Sequence, residues 1–176
     1  MISPKGKLLF VHVNGVEGQY EGKKNGKYEA SLEISKEAYE KLMSELNDIW
    51  EQSKEYQDLK DEVDVMAPTF GLKKKKDSEG VITYRLSART NRFKKRKDGT
   101  TQEITIPIED GHLDKLPDDT YIRNGCEGRI MFYPAPRKIS STYYGLTLYL
   151  QKIQVTNLLE RPQEEFPEEE ESEIPF

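Results

Sequence analysis

The sequence predicts a mainly β fold: a small closed barrel of five strands, with one substantial helix inserted after the second. Three observations carry this. Short apolar runs with two-residue periodicity recur along the chain and stop at glycine-rich or Asp-Gly turns. One stretch, after the second run, changes to helical period. The last run reverses its inward parity part-way, which a strand achieves through a bulge or sharp bend, the device by which small barrels turn corners. At 176 residues the chain can build one modest core.

Lys7–Val13 is a short apolar run closed by Asn14-Gly15 and reads as the first strand. Residues 14–26 hold four glycines and read as a loop. In Lys27–Ile34, Tyr28, Ala30, Leu32 and Ile34 alternate with Glu29, Ser31 and Glu33, the pattern of a half-buried strand. Ser35 offers a hydroxyl to cap a helix. Tyr39, Leu42, Met43, Leu46, Ile49, Trp50 and Tyr56 then follow at helical spacing, so one helix is expected to run to about Leu59, with Pro68 and Gly71 closing the segment. In Val81–Arg89, Ile82, Tyr84, Leu86 and Ala88 form one face, and Arg85, Ser87 and Arg89 the other. Gln102–Ile108 places Ile104, Ile106 and Ile108 in phase, Pro107 marking an edge or an end. Residues 109–125 read as a long connection. Cys126–Tyr133 alternates Ile130 and Phe132 against Arg129, Met131 and Tyr133, and a Pro134-to-Ser141 loop is expected to follow. In Tyr143–Leu158, Leu146, Leu148 and Leu150 are in phase before Ile153 and Val155 take the opposite parity. Parity with aliphatic neighbours assigns Tyr28, Tyr84 and Tyr144 to the core, and the apolar helix face assigns Trp50 there.

The formal charge of −5 hides how charge is divided. Residues 160–176 contain eight glutamates and one arginine, a net −7, and leave residues 1–159 at +2. Residues 36–64 are acidic, at −6, whereas residues 68–100 hold eleven bases and three acids, at +8. An acidic tail and a basic stripe in one chain predict an anion-binding surface plus an interaction segment. The expected organisation is a folded domain, 1–159, and a tail, 160–176, whose composition leaves almost nothing to bury and predicts disorder.

Several function classes lose their support. The single cysteine, Cys126, allows no intramolecular disulfide or thiolate cluster and reads as a small buried residue. His12 and His112 lack ligand spacing. Asp110, Asp114, Asp118 and Asp119 lack the glycine and terminal glutamate of a calcium loop and read as solvated acids. No nucleophile-elbow, zincin, P-loop or dinucleotide motif occurs. A binding module is expected rather than an enzyme, with no catalytic residue, metal or cofactor assigned. No apolar run approaches the roughly 18 residues of a membrane span, and the Leu8–Val13 run is too short for a signal peptide, so a cytoplasmic location is expected.

Single-stranded nucleic acid needs a cationic groove for its phosphates and flat rings for its unstacked bases. The stripe supplies Lys73, Lys74, Lys75, Lys76, Arg85, Arg89, Arg92, Phe93, Lys94, Lys95, Arg96 and Lys97. Arg129 and Tyr133 share one strand face, Tyr143 and Tyr149 another, and Arg137 and Lys138 sit in the expected loop beside Tyr143. The acidic outer face of the helix should repel phosphate.

The chain closes on Glu168, Glu169, Glu170, Glu171, Ser172, Glu173, Ile174, Pro175 and Phe176. An acidic run followed by Ile-Pro-Phe resembles the C-terminal tip of bacterial single-stranded DNA-binding proteins, with Glu where that tip is Asp-rich and Ser172 interrupting the run. The body is similar instead to the phage single-stranded DNA-binding proteins, through Lys27–Ile34, Asn124–Ile130 and Gly145–Val155. The Lys73–Lys76 and Lys94–Lys97 runs match no part of that pattern, so DNA contact there rests on charge alone. The resemblance implies an OB-fold barrel that binds single-stranded DNA without sequence preference, needs no metal or nucleotide, and acts in replication, recombination and repair in the cytoplasm of a phage-infected bacterium. It is compatible with a homodimer. It also implies that Glu168–Glu171, Glu173, Ile174, Pro175 and Phe176 dock on a polymerase, helicase or primase. Seventeen tail residues reach at most about 60 Å, far enough to return to the basic groove and compete with DNA at an effective concentration on the order of millimolar. Two other classes stay open on the residues alone. One is an RNA-binding or RNA-chaperone barrel, because 2′-hydroxyl contacts are not legible in charge. The other is an adaptor whose stripe binds acidic protein.

Overall fold

The structure, a computed structural model, describes residues 1–61, 69–138, 140 and 142–159. Pro68 and the whole of the acidic tail, 160–176, lie outside the described residues. The elements run in the order β1 (Gly6–His12), β2 (Gln19–Tyr20), β3 (Lys23–Lys24), β4 (Lys27–Ile34), α1 (Lys36–Glu51), α2 (Lys54–Leu59), β5 (Leu72–Lys76), β6 (Ile82–Asn91), β7 (Phe93–Lys95), β8 (Thr101–Glu103), β9 (Ile108–Asp110), β10 (Glu127–Lys138) and β11 (Tyr144–Asn157). Five of the strands close a barrel in the order β1-β4-β6-β11-β10-β1, which is the expected five-stranded OB-type barrel. β5 extends the sheet beyond β6, and β9 beyond β11. The helices follow β4, the second strand of the barrel.

Alternation fills the interior. Leu8, Tyr28, Leu32, Leu86, Ile130, Phe132, Leu146 and Ile153 are fully buried. Tyr84, Leu86 and Ala88 point inward as their parity requires, but Ile82, at the start of β6, is exposed. The parity reversal of the last strand is a bulge. Phe132 pairs with Leu150 and Met131 with Lys152, so Gln151 is the extra residue that swings Ile153 and Val155 inward. β1 carries a second bulge. Leu9 pairs with Ser31 and His12 with Glu29, which leaves three steps on β1 against two on β4.

α1 begins where Ser35 accepts a hydrogen bond from Ala38 N. It packs on β6 through Tyr39 and Tyr84, whose ring centroids are 4.9 Å apart, and on β11 through Trp50, stacked on Tyr144 at 5.9 Å. The single helix expected to run to Leu59 is instead two. Ser53 takes an extended conformation and caps α2 by accepting from Tyr56 N. Among the described residues, no helix is long and apolar enough to cross a membrane.

Three further expectations are corrected. The 14–26 loop contains the β2–β3 ribbon, turning through Glu21 and Gly22, both at positive φ. The strand read at Gln102–Ile108 is broken into β8 and β9, because Asn14 inserts its side-chain amide there. Asn14 donates to the Ile106 carbonyl (2.9 Å) and accepts from Ile106 N (2.7 Å), replacing ladder partners. The Pro134-to-Ser141 loop is strand as far as Lys138, pairing with β11 up to Tyr144. β10 tolerates Pro134 and Pro136 because β1 pairs with it only near Glu127 and Gly128, leaving one side of its ladder without a strand where the prolines fall.

Candidate nucleic-acid interface

β6 and β11 meet at one parallel pairing, Tyr149 with Arg89. The chain from Thr69 to Leu72 continues that seam. Phe70 N donates to the Leu146 carbonyl of β11 (3.1 Å), and Gly71 accepts from Ser87 N of β6 (2.7 Å). A side chain at Gly71 would strike the Ser87 carbonyl and Leu148, so only glycine lets this segment lie so close. A cleft of about 390 Å³ opens above the seam. Phe70, Tyr143 and Tyr149 supply its rings, and Lys27, Lys73, Arg89 and Arg137 its positive charge.

These groups brace one another. The Arg137 guanidinium donates to the Tyr149 hydroxyl and lies 5.4 Å from that ring's centroid. Phe70 and Tyr143 stack at 5.1 Å and 29° between planes, and Tyr143 stays 52% exposed. Tyr133 lies directly across from Tyr149 on β10 and is 56% exposed. The row from β10 to β1 therefore reads Tyr133, Tyr149, Arg89, Glu29, His12. Glu29 is the one acid in that row, and it is held by Arg89 (3.4 Å) and His12 Nδ1 (3.0 Å). Rings with open faces beside guanidinium groups can stack bases and neutralise phosphates at one place.

The sequence candidates thus divide. Lys73, Arg89, Arg137, Tyr143 and Tyr149 share the cleft, and Tyr133 flanks it. Arg137 and Lys138 belong to β10, where strand geometry fixes them across from Gly145 and Tyr144. Lys74, Lys75 and Lys76 continue along β5, with Lys74 over the Tyr84 ring at 5.9 Å. Lys94, Lys95, Arg96 and Lys97 sit exposed on the β7–β8 hairpin, a small ribbon separate from the barrel sheet. Arg85 lies over the Phe10 ring at 5.2 Å. Arg129 does not join Tyr133: four residues earlier on β10, about 13 Å along a strand, it faces Gln154 beside a separate hollow lined by Ile2, Leu113 and Met131.

Arg92 is bound into the fold. Its side chain is 19% exposed and pairs with Glu17 (3.0 Å) and Glu103 (2.9 Å), while its guanidinium also covers Phe93 at 5.1 Å. The Gly26 N–H holds the Glu17 carboxyl below its ordinary range, and Arg92 adds to this against the cost of burial. Glu103 is lowered first by the Tyr28 hydroxyl it accepts from and then by Arg92. Burial pushes the Tyr28 hydroxyl up. This cluster ties the 14–26 segment to β8 and leaves Arg92 little capacity for a phosphate.

Sequence reasoning missed Phe70 and Lys27. Phe70 lies in a segment with no periodic signal, next to Gly71. Lys27 opens β4, and its ammonium reaches Asn91 Oδ1 (3.1 Å).

No protein-family model matches the chain, and no curated protein does. Solved structures do resemble it. The crystal structure of gp2.5, a single-stranded DNA-binding protein encoded by bacteriophage T7, aligns with a TM-score of 0.68 at 15% identity over 92% of this chain and 87% of that one. The single-stranded DNA-binding protein from bacteriophage Enc34, in complex with ssDNA, aligns with a TM-score of 0.58 at 16% identity over 90% and 86%. The fold is that of these phage proteins.

Proposed function

We propose that the protein binds single-stranded DNA without sequence preference, coating and protecting it during replication, recombination and repair in a phage-infected cell. The cleft over the β6–β11 seam carries this reading: rings from Phe70, Tyr143 and Tyr149 share one groove with Lys73, Arg89 and Arg137. A base needs a flat apolar face and its phosphate a cation, and the groove offers both without a base-edge reading pattern. Support comes also from the fold neighbours, one of which is described with single-stranded DNA bound. Lys75 continues the face of Lys73 along β5, and the exposed Lys94–Lys97 add positive surface on the β7–β8 hairpin. The acidic tail recruits a polymerase, helicase or primase through Ile174, Pro175 and Phe176, a role that rests on sequence alone.

The direct test is titration of the purified protein with labelled oligo-dT at several salt concentrations. Affinity is expected to fall with salt on a log–log slope of about −0.7 per phosphate neutralised. A flat salt response, or no binding at low salt, overturns the reading.

A further inference from the structure

Phe10 is an apolar ring in an unfavourable place. It sits in the β1 bulge at φ 50, the left-handed region that bulky side chains avoid, and is 45% exposed. Ordinary alternation from buried Leu8 would send Phe10 inward. The bulge turns it out instead, and Val11 and Val13 pack against the core in the next inward places. The conformation is held from outside β1: Phe10 N donates to Asn124 Oδ1 at 2.8 Å. The Arg85 guanidinium lies 5.2 Å from the ring's centroid. Strain, exposure and a cation together are poor choices for packing and suit a ring kept available to a ligand.

The position connects to the cleft. Register places Lys73 of β5 beside Arg85 of β6, Arg85 beside Glu33 of β4, and Glu33 beside Lys7 of β1. That row holds three bases and one acid. Lys73 also lines the cleft, so positive charge runs unbroken from the cleft to Arg85. The other acid on this face, Glu29, is already held by Arg89 and His12. Between them lies the neutral Ser31–Ser87 pair, hydroxyl to hydroxyl at 2.8 Å.

We infer that Phe10 and Arg85 form a second base-stacking platform, three strand spacings or about 14 Å from Tyr149 as measured over the sheet surface, so that bound single-stranded DNA leaves the cleft and crosses the outer face of β6, β4 and β1. This rests on the single-stranded DNA reading and extends its path.

The test uses the full chain with oligo-dT of about 2 nucleotides, too short to span both platforms, and of about 16 nucleotides, the upper limit of ordinary site sizes for one such barrel. Phe10→Ala is expected to weaken binding of the longer strand about ten-fold and to leave the shorter unchanged. Tyr149→Ala should weaken both. Phe10→Trp should keep the parent affinity, and its indole emission should respond to the longer strand only. Equal binding of both lengths by Phe10→Ala and parent overturns the second platform. So does a Phe10→Trp protein whose emission ignores DNA. If Tyr149→Ala binds both lengths like the parent, the cleft reading fails separately.

Discussion

Arg89 and Arg92 lie three residues apart on one basic stretch and end in different surroundings. Arg89 is across from Tyr149 at the cleft, whereas Arg92 is enclosed by Glu17 and Glu103. The partner of Arg92 in Glu17 is 75 residues away in sequence, and no local pattern announces it. Tyr84, Leu86 and Ala88 were legible because alternation is a property of neighbours; which cation meets a carboxylate is a property of the closed barrel. Arg92→Met should lower the melting temperature near neutral pH without changing the salt slope of DNA binding. The pH dependence has a definite sign. Glu17 and Glu103 are held below 4.5, so their stabilisation is present above that value and lost as pH falls through the lower folded values. Melting curves should show the gap between parent and variant narrowing below about pH 4.5.

At the scale of elements, the β7–β8 hairpin differs in kind from the cleft. Its bases are exposed, and its strands pair only with each other among the described residues. Changing Lys94, Lys95, Arg96 and Lys97 together to glutamine should make the salt slope shallower by about 0.7 for each phosphate that the hairpin no longer neutralises. Thermal stability should move by no more than about 0.5 kcal/mol per substitution. An unchanged slope would remove the hairpin from the DNA path. The start of the helix at Ser35 and the bulge near Gln151 were readable, since periodicity, capping and parity are local signals. The break at Ser53 and the insertion of Asn14 beside Ile106 were not. Each depends on a side chain finding a backbone group, and for Asn14 that group lies 92 residues away.

For the whole molecule, the division of charge sets the expectation. The folded part, at +2, offers a cationic surface, and residues 160–176 carry −7 on a segment that can reach it. Truncation after Leu159 should raise affinity for oligo-dT and abolish capture of partner enzymes. Unchanged affinity would separate the docking role from self-competition. Removing Phe176 alone should lose capture and barely alter DNA binding. The barrel and its single inserted helical region were visible in the sequence, while the cleft was not, because its walls come from Phe70, Arg89, Arg137 and Tyr149, which meet only when the sheet curls shut.

The way the sheet shuts has a mechanical side. β10 and β11 are laced along nearly their whole length, and β4 and β6 along eight pairs, but β6 and β11 touch at Tyr149–Arg89 and are otherwise spanned by the short Thr69–Leu72 crosspiece. That sparsely paired joint of the hoop is also the floor of the groove. A strand of DNA gripping Arg89 on one side and Tyr149 on the other would act as a clasp across that joint, so that a filled molecule resists prying open along this line better than an empty one.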